Sequence, residues 1–138
     1  MIELPGLIPA PAVHRAMRRK GRIAATLMAT QVTFETAALP QLRLDFDGIP
    51  GDRHFGTTRK AGGREPWYPR GMAMRNDRAL SLVAPDDLRM IAQAMDIPQI
   101  MPEWLGANLV IDGIAHFSCL PAGTRLFCEG GAVLAVSG

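Results

Sequence analysis

A chain of 138 residues has room for one domain with a real core, and not comfortably two. At 48% hydrophobic and 20% charged it is no disordered tail, and its longest apolar stretch, residues 23–34, is too short and too broken by Thr26, Thr30, Gln31 and Thr33 to span a bilayer. The net charge of +2 is unevenly placed: residues 1–78 carry thirteen bases and seven acids (+6), and residues 79–138 carry two and six (−4).

Residues 1–20 set Pro5, Pro9 and Pro11 ahead of Arg15, Arg18, Arg19 and Lys20, and read as a basic arm, or as a short helix from about residue 13. Residues 23–36, rich in Val, Thr, Ile and Phe, predict one strand or two. Across 41–47, Leu42, Leu44 and Phe46 alternate with Arg43, Asp45 and Asp47, the period of a half-buried strand. Residues 57–77 hold Gly62, Gly63, Pro66, Pro69 and Gly71 without periodicity, and read as one long loop. A strand is expected at 79–84. Pro85-Asp86-Asp87 then opens a helix, with Leu88, Ile91, Ala92 and Met95 as its buried stripe and Pro98 as its stop. Short strands follow at 107–111, 114–117 and 125–128, and Asp112-Gly113 signals a tight hairpin between the first two. Glu129-Gly130-Gly131 turns into a last strand at 132–136. No βαβ alternation is visible. Many short strands with one good helix predict a mainly β fold, a closed and mostly antiparallel barrel with short helices.

The densest chemistry lies in Gly48-Ile49-Pro50-Gly51-Asp52-Arg53-His54-Phe55-Gly56. Glycines permit backbone angles that a Cβ forbids and admit a ligand close to the main chain. Three readings of the enclosed triplet stand. Arg53 or His54 could donate to an anion. Asp52 could instead cap the turn through backbone N–H groups while His54 anchors a loop. A metal site would need a distant third ligand such as His116.

The loop that follows adds Arg59, Lys60, Arg64, Arg70, Arg75 and Arg78 against Glu65 and Asp77. It is either a positive mouth for a phosphorylated ligand or a solvated, self-repelling segment; the glycine-rich stretch before it favours the ligand. Thirteen of the fifteen bases are Arg, whose planar fork suits phosphate and carboxylate. Phe55, Trp67 and Tyr68 could stack bases, but no RNP signature is present and the second half is acidic, so nucleic acid is the minority reading. Cys119 lies three residues after His116, a neighbour that can activate a thiolate. Yet Cys119 and Cys128 both sit in apolar strand contexts, where free Cys is usually a small buried hydrophobe. No nucleophile elbow, P-loop or dinucleotide fingerprint occurs. With no charged leader before an apolar run, reduced thiols, a cytoplasmic location and no membrane association are expected.

The glycine-rich stretch resembles the signature of MOSC domains, the module named for the C-terminal part of molybdenum cofactor sulfurases. Three further blocks are similar in order and spacing: Arg75-Asn76-Asp77-Arg78-Ala79-Leu80-Ser81-Leu82-Val83, Glu103-Trp104-Leu105-Gly106-Ala107-Asn108-Leu109 and Leu120-Pro121-Ala122-Gly123-Thr124-Arg125-Leu126. The resemblance covers roughly residues 21–138 as one β-barrel domain, with residues 1–20 as an arm outside it. It implies that the chain binds molybdenum cofactor (molybdopterin) or a related phosphorylated pterin. The implied roles are sulfur transfer through a persulfide carrier, or molybdenum-dependent reduction of N-hydroxylated compounds.

Arg53, His54, Arg75, Arg78 and Asn108 are the cofactor contacts this suggests; no catalytic residue and no protein metal ligand is assigned. A cysteine desulfurase or a molybdoenzyme is the implied protein partner. Pyridoxal phosphate belongs to the separate desulfurase domain, which nothing in this chain resembles. Two positions depart from the family's pattern. Ala107 stands where the family often has Glu. The family's reactive cysteine lies beyond the final strand, where this sequence reads Ala135-Val136-Ser137-Gly138; Cys119 and Cys128 precede that point. The alternative expectation is therefore a non-catalytic binding or partner module that keeps the barrel without the reactive cysteine.

Overall fold

The structure, a computed structural model, describes residues 16–30 and 33–137. Most of the expected basic arm, and the start of the alternative helix near residue 13, thus lie outside the described residues. The strands are β1 Arg22–Met28, β2 Ala37–Leu39, β3 Thr58–Lys60, β4 Ala73–Arg75, β5 Leu82–Val83, β6 Leu109–Asp112, β7 Arg125–Phe127 and β8 Val133–Ala135. One helix, α1 Pro85–Ala94, and two 3-10 turns, Pro102–Leu105 and Phe117–Cys119, complete the described elements.

The expected closed barrel is not formed. The strands make three open sheets: a four-stranded one in the order β2-β1-β6-β5, and the separate hairpins β3-β4 and β7-β8. Closure requires every strand to pair on both sides. Here β2 and β5 are free edges of the larger sheet, and only β1, with seven residues, exceeds four. Such short ladders cannot carry pairing from one sheet into the next. The sheet is also mixed. β5 and β6 run parallel, with Leu82 opposite Leu109 and Val83 opposite Val110, and α1 lies in the crossover. A parallel pair needs such a connection, so a βαβ unit exists where the sequence suggested none.

Three local expectations are corrected as well. Residues 41–47 form no ladder beyond an isolated bridge between Asp45 and Gly48, and Phe46 points fully into solvent. The alternation there reflects Leu42 and Leu44 packing from an irregular segment. No strand spans 114–117, because Gly113 at φ 85° turns the chain and His116 at φ 54° leads into the second 3-10 turn. The expected loop at 57–77 contains the β3-β4 hairpin.

The helix begins as its sequence dictates, with Pro at its first position and Asp86 and Asp87 in its first turn. Its buried stripe is narrower than expected: Leu88 and Ala92 are buried, while Ile91 and Met95 are exposed. Ala84, Leu109, Ile111 and Phe117 form a core against which Leu82, Leu126 and Leu134 pack, tying the last hairpin to the larger sheet. Burying each large apolar side chain contributes roughly 1.5–3 kcal/mol. No helix among the described residues is long and apolar enough to cross a membrane.

Candidate functional site

The glycine-rich turn is built around Asp52, whose side chain is completely buried. Its Oδ2 accepts the Ala29 N–H at 2.9 Å and the Asn108 side-chain amide at 3.1 Å. Its Oδ1 accepts the His54 N–H at 2.8 Å and lies 3.3 Å from His54 Nδ1. The Arg53 N–H donates to the Ala29 carbonyl at 3.0 Å, so the turn is stitched to the end of β1. Of the readings open for Asp52, the cap is therefore realised, and the same carboxylate orients the imidazole. Gly48 is required where it stands: its φ is 113° and a Cβ there would meet the Ala79 Cβ at 2.9 Å.

Asn108 is almost wholly buried, and its amide is committed to the protein. Oδ1 accepts the Ser81 N–H at 3.0 Å, and Nδ2 donates to the Leu27 carbonyl at 3.3 Å as well as to Asp52. It joins β1, the turn and the entry to β5 from beneath. Asn76, which sequence reasoning did not single out, straps the turn from the other side. Its Nδ2 donates to the carbonyls of His54 and Gly56, each at 2.8 Å, and its Oδ1 accepts the Arg78 N–H at 3.3 Å. Its place between two arginines in a recognisable block was the available signal.

Above this scaffold opens a pocket of about 610 Å³, lined by Arg53, His54, Arg59, Arg64 and Arg78. Phe34 and Phe55 supply aromatic edges, and Phe34 meets the His54 ring edge-on at 6.5 Å. The structure thus brings Arg53, His54, Arg78 and Asn108 to one place. It does not bring Arg75, which is exposed on β4 opposite Thr58 and outside the lining. Lys60, Arg70, Trp67 and Tyr68 also lie outside it, and so does His116. No group of three or more His, Cys, Asp or Glu gathers among the described residues.

One acid governs the pocket's cationic wall. Glu65 is buried, and its Oε1 lies 2.8 Å from Arg59 Nη2 and 3.3 Å from Arg78 Nη2. Its Oε2 accepts the Gly62 N–H at 3.0 Å. The Arg59 hydrogen bond, then that backbone N–H, then the two guanidinium charges hold its carboxyl near pKa 2, against the opposing effect of burial. Arg59 is shifted up in turn, chiefly by its bond to Glu65. Asp77 adds a second hold, accepting from Arg59 Nε at 3.2 Å and Nη2 at 3.1 Å.

A larger and mostly apolar recess, about 940 Å³, lies between α1, β5 and the β7-β8 hairpin. Leu88, Ile91, Leu126 and Leu134 face it, and among the described residues Asp45, Asp77 and Asp87 are its charged side chains. It shares Asn76, Leu80 and Leu105 with the basic pocket. Cys119 is exposed rather than buried, since its segment is a 3-10 turn instead of a strand, and Cys128 is half-buried. Neither thiol lines either recess.

The profile of the MOSC domain matches residues 50–138. YuaD of Bacillus subtilis (strain 168), provisionally described as a metal-sulfur cluster biosynthesis protein, is 41% identical over 111 residues. That alignment covers 80% of this chain and 58% of YuaD, so the chain spans less than two thirds of this relative's length. The crystal structure of the YuaD protein from Bacillus subtilis superposes with a TM-score of 0.84 at 37% identity, over 88% of this chain and 68% of that one. The profile takes in Asp52, the Asn76 strap, Asn108 and every cationic side chain of the pocket, and the chain belongs to the MOSC domain family.

Proposed function

We propose that this chain binds molybdenum cofactor or a related phosphorylated pterin in its basic pocket, and serves sulfur transfer or molybdenum-dependent reduction of N-hydroxylated compounds. The observation that carries the reading is the convergence of four arginines and His54 on one pocket of about 610 Å³ with aromatic edges. The donor set fits the phosphate end of such a ligand, because guanidinium forks match phosphate oxygens. Phe34 and Phe55 place aromatic side chains where a ring could pack. Once bound, the cofactor would supply the molybdenum chemistry. The chain's own part is to hold the phosphate through Arg53 and Arg78 and to present His54, oriented by Asp52, as a donor or acceptor at the rim. The description of YuaD as a metal-sulfur cluster biosynthesis protein supports a role in metal or sulfur handling.

Anaerobic fluorescence titration with molybdopterin tests this. The native protein is expected to saturate, and Arg53→Ala and Arg78→Ala to bind at least roughly tenfold more weakly, as loss of a charge-assisted contact predicts. Absence of saturation by the native protein at low salt would reject the pocket.

A second reading, a binding or partner module that carries no sulfur itself, is favoured by the position of Cys119 and Cys128 outside both recesses. Incubation with a cysteine desulfurase and cysteine, followed by mass spectrometry, separates the two. Gain of one sulfur atom on a cysteine supports the carrier, and an unchanged mass supports the module.

A further inference from the structure

Glu65 has no role in any of the above beyond its bonds, yet among the described residues it is the buried acid that touches two pocket arginines. We infer that Glu65 is a positioning residue that fixes the guanidinium groups of Arg59 and Arg78 side by side, so that together they receive a phosphate monoester. The inference rests on the reading of the basic pocket as an anion site.

The geometry carries it. Both guanidinium groups meet the same oxygen, Oε1, at 2.8 and 3.3 Å, so their separation is set by one atom. That carboxylate is itself anchored by the Gly62 N–H at 3.0 Å and lies outside the pocket lining, while both arginines lie within it. A guanidinium carries five N–H donors. Arg59 spends Nε and Nη2 on hydrogen bonds to Glu65 and Asp77, and Arg78 turns Nη2 to Glu65 as an ion pair at 3.3 Å. Nη1 of Arg59, and Nε and Nη1 of Arg78, are left to donate to a ligand. Two cations face two carboxylates in this cluster, so it adds no net charge to the pocket. What it adds is donors held in a fixed pair, and ordering two long side chains beforehand removes a cost that binding would otherwise meet. Donors on three nitrogens of two cations suit a phosphate's three oxygens, whereas a carboxylate offers two.

Charge and position predict opposite results for Glu65→Gln. Removing a negative charge alone would tighten the binding of every anion. Loss of positioning weakens the binding of phosphate monoesters selectively. The experiment is calorimetric titration of native protein and Glu65→Gln at pH 8 with phenyl phosphate and with benzoate, with thermal melts to confirm folding. The native protein is expected to prefer phenyl phosphate. Glu65→Gln is expected to bind phenyl phosphate about tenfold more weakly and benzoate no more weakly than before, in line with the loss of one charge-assisted contact. Equal or tighter binding of phenyl phosphate by a folded Glu65→Gln overturns the role of Glu65 and leaves the pocket standing. If the native protein binds neither probe, the pocket reading falls and the inference with it. Should Glu65→Gln not fold, Glu65→Asp keeps the charge while withdrawing the oxygen from the arginines. Weaker phenyl phosphate binding by that variant supports positioning, and unchanged affinity overturns it.

Discussion

Asp52 and Asn108 show how a polar pair can hold a site together from within the protein. Between them they satisfy N–H groups of Ala29, His54 and Ser81 and the carbonyl of Leu27, all around the end of β1. Asn108→Ala would take its side-chain partner from the Ser81 N–H and from the Leu27 carbonyl, each costing about 1–3 kcal/mol, so a loss of roughly 2–4 kcal/mol is expected in urea unfolding. Pterin affinity should fall in the same variant, because the turn carrying Arg53 and His54 loses its floor. Arg75→Ala makes the contrast. Arg75 is exposed and outside the pocket, so its stability should stay within about 0.5 kcal/mol and its pterin affinity within roughly twofold. The capping role of Asp52 was legible from a short acid among glycines. The commitment of Asn108 was not, because it depends on positions 27, 52, 81 and 108 meeting in space.

Among the elements, the sequence spoke clearly wherever a local rule sufficed. Pro85 and two acids placed α1, and Glu129-Gly130-Gly131 placed the turn before β8. It misled wherever pairing decided. Leu42, Leu44 and Phe46 have a strand's period, but no neighbour supplies a ladder, and the β3-β4 hairpin formed inside a segment whose glycines and prolines masked two three-residue strands. That hairpin and the turn between its strands are held by Glu65, which gives the segment a distinct pH signature. The Glu65 carboxyl is depressed to about 2 from an ordinary 4.5, so the unfolded chain takes up its proton first as pH falls. Its stabilising contribution is present above pH 4.5 and is lost between 4.5 and about 2. The melting-temperature gap between native protein and Glu65→Gln should therefore be steady from neutral pH down to about pH 5 and shrink below it. A gap that persisted unchanged to about pH 2 would show that the ion pairs do not set it. In the core, Phe117→Ala should cost about 3–5 kcal/mol, while Met95→Ala, at the exposed residue that caps the C-terminal end of α1, should stay near neutral, both read from urea midpoints.

For the molecule as a whole, charge is divided in space between the two recesses. Among the described residues, the basic pocket is lined by Arg53, Arg59, Arg64 and Arg78, while the apolar recess beside it has Asp45, Asp77 and Asp87 as its charged groups. Four arginines are gathered into one recess, while Lys60, Arg70 and Arg75 lie outside it. A strand neutralised by many arginines would release a counterion at each phosphate and show a steep salt slope. A ligand with one phosphate meets a few fixed guanidinium groups and should show a shallow one. Titrating molybdopterin from about 50 to 200 mM salt should therefore give a logarithmic slope of roughly one to two. Single-stranded RNA and duplex DNA should not be retained near physiological ionic strength. Tight nucleic-acid binding with a slope several times larger would reverse this assignment, because it would require the exposed Arg75, Arg70 and Trp67, which lie outside the pocket, to act with it as one extended surface.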